Sequence, residues 1–106
     1  MNNEPDSNLI DELVKEYNNN KYLELLKKIT SLQIKYPKSI FLYNLLGVLN
    51  YNLGNYDNAI LNYNKINELE NFNANAYYNL GIVYKKINKT NLAIKNYLKC
   101  IKTNPR

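Results

Sequence analysis

Apolar residues recur along the whole chain at spacings of three and four, the period of an α-helix that buries one face. Leu9, Leu13 and Tyr17 form one such series, and Leu25 and Ile29 begin the next. Short runs rich in Asn, Pro, Gly or Ser separate the series and are typical of turns. The pattern predicts no strands and six helices, over residues 7–19, 22–35, 40–52, 57–70, 74–87 and 91–103.

The chain also repeats itself along its length. Sliding the sequence so that Tyr43 falls on Tyr77 aligns Tyr43, Leu46, Gly47, Ala59, Ile60, Tyr63 and Lys65 with Tyr77, Leu80, Gly81, Ala93, Ile94, Tyr97 and Lys99. Weaker matches carry the same period to the start of the chain, since Val14, Val48 and Ile82 share one column. We therefore expect a single domain, residues 1–106, with repeats over about 6–39, 40–73 and 74–106.

The third repeat carries the full set of motif residues, which are Tyr77-x2-Leu80-Gly81-x2-Tyr84, then Ala93-x3-Tyr97, then Pro105. In length and spacing this motif resembles the tetratricopeptide repeat, a helix-turn-helix unit of about 34 residues. The middle repeat departs from the family pattern at Asn50, where the pattern has Tyr, and at Asn71, where it has Pro. The resemblance implies an all-α fold, a right-handed α-solenoid of three helix-turn-helix repeats.

The motif residues have a packing explanation that needs no function. A small residue on the first helix of a repeat, such as Gly81, is expected to face a small residue on the second, such as Ala93. The first repeat replaces this pair with Leu13 and Leu25. Its two helices should therefore stand further apart or cross at a different angle.

The composition removes most catalytic chemistry. The chain has no His and one Cys, so it lacks the residues for a His-based triad or for a Cys/His metal site. We expect no enzymatic activity, cofactor or metal, and we expect Cys100 to be a buried structural thiol. Thr90 is predicted to cap the last helix. No apolar stretch is long enough for a membrane span, and we expect a cytoplasmic protein.

Charge is concentrated in the last third of the chain. Residues 74–106 carry six Lys, one Arg and no acidic residue, a net charge of +7, whereas the whole chain has +5. Nucleic-acid binding is not favoured by this excess, because lysines such as Lys89, Lys95 and Lys99 have the spacing of a solvated outer face and base-reading residues are not recognisable.

The resemblance implies that the first helices of successive repeats line a concave groove. By column, the groove would hold Ile10, Val14, Tyr17, Asn18, Phe41, Asn44, Leu45, Val48, Tyr51, Asn52, Asn75, Tyr78, Asn79, Ile82, Lys85 and Lys86. The candidate peptide-binding residues within it are Asn44, Val48, Tyr51, Asn52, Asn75, Tyr78, Asn79, Ile82, Lys85 and Lys86. An alternative stays open, in which Val14, Val48 and Ile82 support the packing and the Asn residues reflect composition alone.

The expected function is protein–protein interaction, with a peptide segment or partner helix held in the groove and an acidic group near Lys85 and Lys86. The subclass that grips chaperone C-termini is excluded, because its cationic positions fall on Ile10, Asn75 and Asn79 and its two Asn positions fall on Val14 and Leu45. The alternative from another class is the substrate-recruiting arm of a larger enzyme, such as a glycosyl- or sulfo-transferase. The last helix exposes apolar residues such as Leu98, so self-association or a further covering helix is predicted.

Overall fold

The structure is a computed structural model that describes residues 3–104, and those residues form helices without strands. There are six helices in the described part: α1 (Ser7–Asn18), α2 (Tyr22–Lys35), α3 (Ile40–Asn52), α4 (Tyr56–Leu69), α5 (Ala74–Lys86) and α6 (Thr90–Thr103). Each predicted helix is present with both ends within one residue of the expectation. Helices adjacent in the chain pack on one another in order, which is the architecture of an α-solenoid. The motif residue Pro105 lies outside the described residues.

The turn inside each repeat has the same backbone conformation. Asn20, Gly54 and Asn88, which occupy the same position of the three repeats, have φ values of 61°, 80° and 64°. Asn and Gly are the residues that adopt this left-handed conformation most readily. The equivalence includes the first repeat, whose sequence resemblance to the other two is the weakest.

Helix capping differs between the two helices of a repeat. The first helices begin after Asp6, Ser39 and Asn73, whose side chains accept a hydrogen bond from the backbone N–H three residues later. The second helices have no side-chain cap. The prediction that Thr90 caps α6 was wrong, because the tight turn makes Lys89 the residue before the helix and Thr90 its first residue.

The nearest neighbours of the motif glycines are tyrosine rings. A Cβ atom placed on Gly81 would lie 2.5 Å from the ring of Tyr97, and one on Gly47 would lie 2.5 Å from the ring of Tyr63. Both distances are far inside van der Waals contact. The ring that was expected beside the glycine therefore lies directly over it.

The first repeat is packed differently, as expected. Leu13 stands in the column of the two glycines, and Ile29 stands in the column of the two tyrosines. Both side chains are fully buried in a cluster that extends to α3. The backbones of α1 and α2 approach each other less closely than those of the helix pairs in the later repeats, as either a wider spacing or a different crossing would produce.

A short segment before α1 is hydrogen-bonded to the start of α3. The Glu4 carboxylate accepts hydrogen bonds from the backbone N–H groups of Ile40 (2.9 Å) and Phe41 (3.4 Å), and from the Ser39 hydroxyl. Ser39 is fully buried and in turn caps α3. The first N–H groups of a helix lack internal partners, so this carboxylate satisfies groups that the helix itself cannot.

Candidate functional site

The first helices of the three repeats form one continuous surface. The Asn52 side-chain amide on α3 donates a hydrogen bond to the Tyr17 hydroxyl on α1 over 2.9 Å. The Asn79 amide on α5 donates to the Asn44 side-chain oxygen on α3 over 3.4 Å. We call this surface of α1, α3 and α5 the groove.

The groove has a concavity at the third repeat. A concavity of about 500 Å³ is lined there by Tyr51, Tyr78, Ile82, Lys85, Lys86 and Tyr97. Five of these six residues belong to the predicted peptide-binding set. The structure therefore brings together the aromatic, aliphatic and cationic residues that the sequence placed in separate columns.

Tyr97 is the lining residue that the sequence reasoning did not include. It comes from α6, and its ring centroid lies 5.9 Å from that of Tyr78 on α5. Desolvation and the neighbouring phenol of Tyr78 raise the pKa of Tyr97. Its hydroxyl therefore stays protonated at neutral pH and is a neutral hydrogen-bonding group. The signal was present, because Tyr97 is a motif residue, but the motif was interpreted as packing alone.

Lys85 and Lys86 supply the positive charge of the groove. They lie in the last turn of α5, where the helix dipole favours a cation. Both side chains are exposed, and neither forms an ion pair with another described residue. An acidic group brought to this end of the groove would therefore meet two ammonium groups without displacing an existing partner.

The other predicted residues are distributed along the surface. Asn44, Asn52 and Asn75 are exposed, whereas Val48 is half-buried and packs against the core cluster of the second and third repeats. The packing alternative therefore applies to Val48. Of the wider column set, Leu45 is only 8% exposed and belongs to the core, so it does not line the groove.

Two further expectations concern polar and sulfur groups. Asn50, where the family pattern has Tyr, is buried, and its amide donates to the Asn62 oxygen on α4 over 2.8 Å. This bond explains how the departure from the pattern is accommodated. Cys100 is half-buried rather than fully buried, because no helix among the described residues follows α6 to cover it.

The described residues contain no group of three or more Cys, Asp or Glu side chains placed to hold a metal ion. None of the helices formed by residues 3–104 is both long and apolar enough to cross a membrane.

Two models of the tetratricopeptide repeat family match the chain, one over residues 42–73 and the other over residues 74–106. The chain therefore belongs to the tetratricopeptide repeat family, whose repeats generally serve as protein–protein interaction modules and not as catalysts. A similar solved structure, the crystal structure of MamA, superposes with a TM-score of 0.80 at 25% sequence identity. The match covers 94% of this chain and 61% of the MamA chain, so this chain spans about three fifths of that structure. None of the curated protein sequences matches this chain.

Proposed function

We propose that the chain binds a segment of a partner protein, extended or helical, in the groove. The observation that carries the proposal is the concavity of about 500 Å³ where Tyr78, Tyr97 and Ile82 meet Lys85 and Lys86. Aromatic and aliphatic side chains provide apolar contact there, and the tyrosine hydroxyls and lysine ammonium groups provide the polar contacts that orient a ligand.

Each part of the groove suits a different part of such a segment. The Ile82 side chain and the Tyr78 ring, which is 52% exposed, provide a surface for apolar side chains. The amides of Asn44, Asn75 and Asn79 can each donate to a carbonyl and accept from an N–H, so they match the backbone of a bound peptide. The sequence of the partner is therefore read mainly by its apolar side chains.

The cationic end sets the polarity of the bound segment. Lys85 and Lys86 favour an acidic group of the partner near the end of α5. Because both lysines are exposed, each ion pair should contribute about 0–1 kcal/mol and should weaken with salt. The charge then selects the orientation of the segment more than it determines the affinity.

We place this interaction in the cytoplasm, which agrees with a single cysteine that has no disulfide partner in the described residues. The alternative of a substrate-recruiting arm of an enzyme gains no support from any feature of the described residues.

A photo-crosslinking experiment tests the proposal before the partner is known. A photoreactive phenylalanine analogue replaces Tyr78 in the groove or, as the matched control, Leu61, which is 65% exposed on α4. After irradiation in lysate of the source cells, we expect one discrete protein adduct at position 78 that excess unlabelled chain competes away. Adducts that form at position 61 and not at position 78 would contradict the groove as the binding surface.

A further inference from the structure

A second crevice lies outside the groove, between the loop that precedes α5 and the C-terminal half of α6. Its volume is about 490 Å³, and it is lined by Phe72, Tyr77, Lys99, Lys102 and Thr103. None of these residues lines the groove concavity. The crevice is therefore a separate feature of the third repeat.

The equivalent place in the second repeat, one repeat length earlier in the chain, has different chemistry. The corresponding residues there are Lys38, Tyr43, Lys65, Glu68 and Leu69. In that repeat the Lys65 ammonium lies 3.6 Å from the Glu68 carboxylate. The lysine therefore has an acidic partner within its own repeat.

The third repeat replaces this ion pair with two cations. Lys99 stands in the column of Lys65, and Lys102 stands in the column of Glu68. Residues 74–104 include no acidic residue, and neither lysine forms an ion pair within the described part of the chain. The Lys99 ammonium instead lies over the Tyr77 ring, 5.5 Å from its centroid. Two unneutralised cations therefore flank an aromatic wall.

Phe72 is the second difference between the crevice and the equivalent place in the second repeat. Its φ is 61°, a left-handed conformation that is unfavourable for a bulky side chain, and the side chain is 70% exposed. Lys38, at the same position of the preceding loop, has no positive φ, so the repeat itself does not require this conformation. Phe72 thus combines a backbone cost with little burial in return, and such outliers cluster at binding sites.

We propose that this crevice binds an acidic peptide segment in which an aromatic or large aliphatic side chain lies next to one or two carboxylates. The apolar side chain packs between the Phe72 and Tyr77 rings, and the carboxylates pair with Lys99 and Lys102. Packing of a ligand against the Phe72 ring buries apolar surface that the free protein exposes. This site is independent of the groove, so the protein has two peptide-binding surfaces on its third repeat.

The test gives the crevice two of the residues that stand at the equivalent place in the second repeat. The double variant Phe72→Lys, Lys102→Glu carries the residues of the second repeat, which fold in that place within the same chain. Asn79→Ala, which alters the groove alone, is the matched control. The probe is a phage-displayed library of random heptapeptides selected on the wild-type chain, and binding of the selected peptides is measured by fluorescence anisotropy. Circular dichroism confirms that both variants are folded.

We expect the selection to enrich peptides with an apolar residue beside Asp or Glu. A group of these peptides should bind the double variant at least about tenfold more weakly and the Asn79→Ala variant unchanged, with an affinity that falls as salt is added. Peptides that lose affinity only in Asn79→Ala would assign binding to the groove alone and overturn the crevice. Selected peptides that bind both variants as well as wild type would overturn it too. The proposal would also be overturned if a single-stranded oligonucleotide bound in a Lys102-dependent manner and no acidic peptide did.

Discussion

The first and third repeats fill the same space between their helices in opposite ways. The first repeat uses two aliphatic side chains, Leu13 and Ile29, and the third uses a glycine and a ring, Gly81 and Tyr97. The aliphatic pair ends in the core, whereas the ring extends past the glycine and reaches the groove beside Tyr78. A choice made for packing thus creates the aromatic wall of the candidate binding site.

The second repeat shows why the ring is available only in the third. Tyr63 packs on Gly47 as Tyr97 packs on Gly81, yet Tyr63 is only 3% exposed, in a cluster that includes residues of α5. Tyr97 has no following helix against it within the described residues. The same contact is therefore part of the core in the second repeat and part of the candidate binding surface in the third.

The two ends of the stack differ in the same sense. On α1 the residues Asn8, Glu12 and Lys15 are exposed. At the same three positions of the repeat, α3 and α5 have buried apolar residues: Leu42, Leu46, Leu49, Ala76, Leu80 and Val83. By contrast, α6 exposes the apolar residues Ile94, Leu98 and Ile101. The first repeat presents a polar outer face, and the last presents an apolar one.

The largest expected effect breaks the glycine contact. Gly81→Leu places a side chain where even a Cβ would overlap the Tyr97 ring, so it should lower the free energy of unfolding by about 1–3 kcal/mol or more. Adding Tyr97→Ile recreates the pair of the first repeat and should recover part of that loss. Urea denaturation of the single and double variants measures the coupling, with Lys95→Leu on the exposed side of α6 as the control. Additive effects of the two substitutions on the free energy of unfolding would show that the smaller side chain at position 97 does not compensate for the larger one at position 81.

The next effect concerns pH, because the second repeat buries a phenol where the first has Ile29. Burial raises the pKa of Tyr63 above its ordinary value of 10.0, so the folded state holds the proton more tightly than the unfolded state. The contribution of Tyr63 to the free energy of unfolding is therefore fully present below about pH 10. Above that pH it falls, by up to about 1.4 kcal/mol per pH unit. Tyr63→Phe should flatten this alkaline loss in urea titrations between about pH 9 and 11. An unchanged pH dependence would mean that other groups control it.

A smaller effect tests the difference between the ends of the stack. Self-association through α6 remains a prediction, and Leu98→Asn introduces the residue type that α4 has at the same position, Asn64. Sedimentation of the wild-type chain should show concentration-dependent dimers, which the variant should lose while its stability changes by only about 0.5 kcal/mol. Added salt should strengthen the dimer, because Lys95 and Lys102 flank the apolar stripe and repel their copies. A wild-type chain that stays monomeric at high concentration would contradict the prediction.

The sequence predicted the helices and the repeat well because both are local. Hydrophobic spacing and turn residues place each helix end, and the repeat period places the turns at Asn20, Gly54 and Asn88. Contacts between residues far apart in the sequence could not be predicted in this way. The bonds from Glu4 to the start of α3 join residues about 36 positions apart, and no motif at Glu4 announces them.

The candidate site was predicted only in part, because some of its residues share one helix and others depend on contacts between helices. The repeat period predicted Tyr78, Ile82 and Lys85, which share one face of α5, and the structure brings them into one concavity. Tyr97 was missed because its role depends on which helix covers it. The sequence shows that Lys102 replaces the acidic residue Glu68 at the same position of the repeat. Only the structure shows that Glu68 forms an ion pair with Lys65, which the third repeat therefore lacks.

The central claim, that a partner segment lies in the groove with its acidic group near the end of α5, is tested most directly by binding measured against salt. Isothermal titration of the crosslinked partner segment would compare Asn79→Ala, Lys85→Ala and the outer-face control Leu61→Ala from about 0.05 to about 0.5 M salt. Asn79→Ala should weaken binding at every salt concentration, because amide contacts are little screened, and Lys85→Ala should weaken it only at low salt, by about fivefold or less. Unchanged binding in both groove variants, with weaker binding in Leu61→Ala, would contradict the claim.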